Sequence, residues 1–102
     1  MPGRLESKVA IVTGAGSGIG RAIAEAFVRE GADVVIAEIN PKSGIEAVRA
    51  IETLGRKSLF VEVDVAQKSQ IESMVERVVA NLGRIDILVN NAGIHEPTPF
   101  LE

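Results

Sequence analysis

The stretch Thr13-Gly14-Ala15-Gly16-Ser17-Gly18-Ile19-Gly20 places glycine at every second position, straight after the apolar run Val9-Ala10-Ile11-Val12. Glycine surrenders more backbone freedom on folding than any other residue, so such a cluster needs a purpose for its bare backbone. Where a strand runs into a helix, that purpose is anion binding: the free N–H groups and dipole of the helix N-terminus suit a pyrophosphate. A side chain at Gly14, Gly18 or Gly20 would obstruct the tight turn, the approach of the phosphates, or the packing of helix on strand. Gly16 is expected to add further room. The spacing is T-G-x-x-x-G-x-G rather than G-x-G-x-x-G, because position 19 is Ile, and no Lys-Ser or Lys-Thr follows to make a P-loop. A glycine-rich turn that binds nothing would carry the same letters.

A second residue gives the loop a context. Glu38 closes the apolar run Asp33–Glu38, and an acid at the end of a second strand can accept both hydroxyls of an adenosine ribose. The same carboxylate would repel a 2′-phosphate at close range. Ser17 and Ile39 bring no positive charge to offset it, and Pro41 should direct Lys42 along the next helix. NAD is therefore expected over NADP. The plain alternative for Glu38 is an exposed charge at a strand end.

These groups need elements to hold them. Runs rich in Val and Ile at Lys8–Thr13, Asp33–Glu38, Ser58–Val63 and Ile85–Val89 are nearly continuous in apolar residues, as expected of strands covered on both faces. Between them lie helical stripes. Ile19, Ile23, Ala26 and Phe27 precede a stop at Gly31. Asn40-Pro41 opens a second helix carrying Ile45, Val48, Ile51 and Leu54 and stopping at Gly55. Ile71, Met74, Val75, Val78, Val79 and Leu82 form a third stripe ending at Gly83. The order β-α-β-α-β-α-β, with crossovers of this length, makes the strands parallel and the connections right-handed. The expected architecture is α/β: the first half of a doubly wound parallel sheet with strand order 3-2-1-4, in one domain spanning residues 1–102.

Composition limits the partners. The chain has 102 residues, a net charge of −3 and 11 basic residues scattered along it, so no basic patch marks a nucleic-acid surface. Cysteine is absent, which removes thiol catalysis, disulfides and Cys-based zinc sites. The N-terminus Met-Pro-Gly-Arg-Leu-Glu-Ser-Lys has no secretory apolar region, and no run approaches the roughly 20 residues of a membrane span. A soluble cytoplasmic location, with neither membrane nor nucleic acid as partner and no metal, is the expectation.

Taken together, T-G-x-x-x-G-x-G at 13–20, Asp64-Val65 after the third strand and Asn90-Asn91-Ala92-Gly93 after the fourth resemble the classical short-chain dehydrogenase/reductase family, as does the opening Leu5-Glu-Ser-Lys-Val-Ala-Ile-Val-Thr. The resemblance covers essentially the whole chain. It implies a Rossmann-type fold whose residues from Gly14 to Gly20, including Gly16, Ser17, Gly18 and the Ile19 backbone, hold the cofactor pyrophosphate. Asp64 would accept from the adenine amino group and the Val65 backbone would read the ring edge. Asn90, Ala92 and Gly93 would sit beside the nicotinamide ribose, while Asn91 would fasten the sheet centre. Glu38 departs slightly, since Asp is commoner there in members that use NAD. Read without the family, Asp64 is a helix N-cap and Asn90-Asn91 a polar turn.

The family moves hydride between NAD(H) and an alcohol or carbonyl substrate, with a Ser and a Tyr-x-x-x-Lys doing the acid–base work. This sequence contains no tyrosine, so it is expected to be a cofactor-binding portion, truncated before the catalytic segment and inactive alone. Homo-oligomers are expected only of a full-length protein, and the fourth strand here should present an apolar edge. His95, the single histidine, is expected to be solvated. Two other readings are a non-catalytic dinucleotide-binding module and an S-adenosylmethionine-dependent methyltransferase. Asn-Asn-Ala-Gly argues against the second.

Overall fold

A computed structural model of the chain describes residues 3–16, 18–56 and 58–91. The elements run β1 (Val9–Thr13), α1 (Gly18–Arg29), β2 (Asp33–Glu38), α2 (Pro41–Glu52), β3 (Ser58–Glu62), α3 (Lys68–Leu82) and β4 (Ile87–Asn90). The strands form one sheet, parallel as the crossover argument requires, in the order β3-β2-β1-β4 expected of the first half of a doubly wound fold.

Two cores flank the sheet because side chains alternate along each strand. Ala10 and Val12 of β1 with Val34 and Ile36 of β2 face α1 and α2, joining Ala24, Val28, Ala47 and Ile51. Val9, Ile11, Val35, Ala37 and Val61 face the other way and pack with Met74 and Val78 of α3. All five residues of β1 are buried, which is why its sequence reads as an unbroken apolar run.

The helix ends follow the sequence signals. Asn40 caps α2, its Oδ1 accepting the N–H groups of Lys42 (3.0 Å) and Ser43 (3.2 Å), with Pro41 in the first turn. Gly83 closes α3 at φ +84°, donating to the Val79 carbonyl.

The helix faces differ from the expected stripes. In α1 the inward residues are Gly20, Ala24 and Val28, whereas Ile19 is 66% exposed and Ala26 is exposed too. In α2 they are Gly44, Ala47 and Ile51, and Ile45 is exposed. In both helices the inward line begins with small residues (Gly20 and Ala24; Gly44 and Ala47) and ends on a larger one (Val28; Ile51), while Ile23, Phe27 and Val48 wedge in at its sides. An apolar stripe drawn through the largest side chains is therefore rotated off the true contact line.

β4 starts two residues later than its apolar run and includes Asn90. Ile85 packs into the α3-side core, and Asp86 instead joins β4 to β1. Its N–H donates to the Val9 carbonyl (2.9 Å), and its Oδ2 accepts the Val9 N–H (2.9 Å). Its Oδ1 takes Nη2 (2.7 Å) and Nε (3.1 Å) of Arg84. The Arg84 hydrogen bonds, and then the Val9 N–H, hold the Asp86 carboxyl below its ordinary value, against a smaller opposing effect of burial. A depressed folded-state value stabilises the fold above the unfolded carboxylate range, and that contribution is lost as pH falls through the folded value. Asp86→Asn is therefore expected to melt below the parent at neutral pH, with the gap closing in acid below about pH 4. Thermal melts of both proteins from pH 3 to 7 check this.

Candidate functional site

Parallel registry gathers the polar strand ends on one edge of the sheet. Thr13 lies beside Ala37 on one side and Asn90 on the other, and Glu38 lies beside Glu62. On this edge α1 departs from β1 on one face, while β4 is reached through α3 on the other. The space between β1 and β4 is thus the switch point at which open α/β sheets bind ligands.

The glycine loop bridges β1 and α1. The Gly14 N–H donates to the Ala37 carbonyl (2.8 Å), turning the chain away from β2 at φ +63°. At Gly20 a Cβ would drive into the Gly14 carbonyl and to 2.5 Å from Asn91 Nδ2, so the helix start can lie on the loop only if it is bare. Gly18 also has φ +63°, and a Cβ there would meet no atom within 4 Å. Its glycine thus answers to backbone conformation and leaves open space over the head of α1. The first turn of α1 has no acidic residue, so nothing of like charge opposes an anion there. Among the described residues nothing covers this bare helix start, which fits a pyrophosphate.

Gly16 corrects an expectation. The space its side chain would take is filled by protein: a Cβ would stand 2.6 Å from Ser43 Cβ and 2.7 Å from Glu38 Oε1. Gly16 is buried and leaves no added room. The Glu38 carboxylate reaches back from β2 to accept its N–H (2.9 Å), and the other oxygen accepts the Asn40 N–H (3.2 Å).

Asp64 and Val65 follow β3, half-buried. Asp64 Oδ1 accepts the Ala66 N–H (2.9 Å), and the Asp64 N–H donates to Gln70 Oε1 (2.8 Å). The residue thus makes a local turn, and the N-cap of α3 is Gln67. Asn90 is exposed at the end of β4, its Oδ1 3.2 Å from Thr13 Oγ1. Asn91 is buried: its N–H donates to Thr13 Oγ1 (2.9 Å) and its Nδ2 to the Gly14 carbonyl (3.2 Å). Ser17, Ala92, Gly93 and His95 lie outside the described residues.

Two residues gain a part in the site that the motif reading did not give them. Thr13 is the polar hub between β1 and β4, and its signal is a hydroxyl ending an otherwise apolar strand. Glu62 adds a second carboxylate beside Glu38, on the same face of the sheet by registry. Among the described residues, no group of three His, Cys, Asp or Glu could hold a metal ion, and no helix is long and apolar enough to cross a membrane.

An open parallel sheet ordered 3-2-1-4, with its polar groups gathered at the strand C-termini, is of the Rossmann-like α/β class. Comparison with known proteins narrows the class. The family pattern for short chain dehydrogenase matches residues 8–102, and the chain belongs to that family of oxidoreductases. It is 40% identical over 97 residues to 7alpha-hydroxysteroid dehydrogenase of Escherichia coli (strain K12), covering 95% of this chain and 38% of that protein. It is 43% identical over 93 residues to 15-hydroxyprostaglandin dehydrogenase [NAD(+)] of Homo sapiens, covering 89% and 35%. Among solved structures it is similar to carveol dehydrogenase from Mycobacterium avium in complex with NAD, with a TM-score of 0.84 and 34% identity over 89% of this chain and 37% of that one. The chain thus spans a little over a third of the length of these relatives. Family membership displaces the methyltransferase reading.

Proposed function

We propose that the chain is the cofactor-binding part of an NAD-dependent oxidoreductase that moves hydride between NAD(H) and an alcohol or carbonyl compound. The observation that carries this is the placement of the Glu38 carboxylate against the glycine loop, one strand away from a bare helix N-terminus. Gly14, Gly18, Ile19 and Gly20 would hold the pyrophosphate on the head of α1, with Ser17 beside them. Glu38 would take the adenosine ribose. Asp64 and Val65 would bound the adenine, and Asn90, Ala92 and Gly93 the nicotinamide ribose. Bound NAD supplies a hydride acceptor at its nicotinamide ring. Two relatives support this choice of cofactor: one named for NAD(+) and one solved in complex with NAD.

The choice between cofactors rests on charge. A 2′-phosphate at Glu38 would also face Glu62, register-paired with it, so two carboxylates oppose it. Calorimetric titration of a protein carrying this segment is expected to give NAD a dissociation constant about a hundredfold below that of NADP. Equal or tighter NADP binding would refute the assignment. The acid–base group for the substrate oxygen and the determinants of substrate choice would come from other parts of such a protein, because tyrosine is absent from these 102 residues.

A further inference from the structure

Both oxygens of Glu38 are already engaged by the protein, with N–H groups from two different turns. Oε1 accepts from Gly16, in the middle of the glycine loop, and Oε2 from Asn40, the residue that caps α2. Ser43, in the first turn of α2, closes over the same glycine. The carboxylate is therefore the joint at which the β1–α1 loop meets the β2–α2 turn.

Reach decides which acid can make this joint. Aspartate is one methylene shorter, withdrawing the oxygens by about 1.5 Å. A 2.9 Å bond to the Gly16 N–H would then lie well beyond hydrogen-bonding distance. Ionised carboxylate oxygens offer about four lone-pair directions between them, and backbone donors use two. Two remain for further donors without breaking the joint.

We propose that Glu38 is a positioning residue for the glycine loop, tying Gly16 to the α2 cap before any cofactor arrives and keeping that tie while its remaining lone pairs receive the ribose hydroxyls. The second half rests on the NAD reading given above; the first half does not. The glutamate length and the glycine at 16 then explain each other. The bare backbone at 16 admits the longer carboxylate, and the carboxylate fixes a loop segment that glycine would otherwise leave loose.

The test is hydrogen–deuterium exchange at residue resolution on the cofactor-free full chain, comparing the parent with Glu38→Asp and Glu38→Gln. Glu38→Asp keeps the charge but loses the reach: the Gly16 amide is expected to exchange at least about tenfold faster. NAD binding should weaken by about tenfold while the preference over NADP is kept. Glu38→Gln keeps the reach with a single acceptor oxygen, which can stay on the Gly16 N–H while the Asn40 N–H loses its partner. Gly16 should therefore remain better protected than in Glu38→Asp, but the preference for NAD over NADP should shrink by about tenfold. Gly16 exchange unchanged in Glu38→Asp, or equally fast in the two variants, would overturn the tie. A parent that protects Gly16 yet fails to bind NAD would overturn the cofactor reading and leave the tie standing.

Discussion

Gly20→Ala is expected to weaken NAD binding by about a hundredfold or more. The added Cβ meets the Gly14 carbonyl, a backbone atom with no rotamer to escape through, and Asn91 Nδ2, which is itself bonded to that carbonyl. Either α1 lifts from the loop or the loop moves toward the space assigned to the pyrophosphate. The Asn91 bond is strained or lost in both cases, leaving a part-buried acceptor short of its donor. A titration with NAD, beside circular dichroism to show that the helices persist, separates a damaged site from an unfolded chain. A dissociation constant within threefold of the parent would contradict the packing argument. Gly18→Ala makes the contrast: its Cβ meets nothing within 4 Å, so any loss there reports left-handed backbone strain and obstruction of the ligand.

The second large effect concerns the core. Ile36 is fully buried at the middle of β2, register-paired with Val12 and Phe60, and belongs to the cluster under α1 and α2. Ile36→Ala should cost about 2–5 kcal/mol, because close-packed neighbours on two strands and two helices cannot collapse into the space it leaves. The expected observation is a lower denaturant midpoint at unchanged slope. The site should suffer with it, since Glu38 lies two residues further along the same strand and its Oε1 holds the loop. A destabilisation under 1 kcal/mol would mean that the helices move in to close the cavity.

Much of the architecture is legible in the sequence because it rests on short-range signals. β1 and β2 are buried on both faces, so their runs read plainly. Gly31, Gly55 and Gly83 all take positive φ where the helical stripes end. Crossover length and handedness make the strands parallel, and the order 3-2-1-4 follows once helices cover both faces of a doubly wound sheet of this class. The helix faces were less legible. Small residues give weak hydrophobic signals, yet Gly20, Ala24, Gly44 and Ala47 mark the lines of contact because only small side chains let a helix axis come close to the sheet. The boundary of β4 shifted for a different reason: Asp86 takes its place through hydrogen bonds to Val9 and Arg84, partners far away and nearby that apolar patterning does not record.

The candidate site divides in the same way. T-G-x-x-x-G-x-G, Glu38, Asp64-Val65 and Asn90-Asn91 all point to the strand C-termini, and the structure places their described members along that one edge. The purposes of individual residues within it are another matter. Gly16 reads as space for a ligand and instead admits a carboxylate from the neighbouring strand. Asp64, a candidate helix cap when read without the family, instead closes a turn onto Ala66.

By itself, then, the sequence determined the class of fold and the order of the strands, and it pointed to a candidate site with a negative charge at residue 38, all carried by local patterning and chain connectivity. Only the tertiary structure decided which face each helix buries, that Glu62 stands beside Glu38, that the Thr13 hydroxyl is the partner through which Asn91 fastens the sheet, and that Glu38 grips Gly16. The last three are contacts between residues about 20 or more positions apart. Their distances are set by strand register and helix approach, quantities that exist only once the sheet has formed.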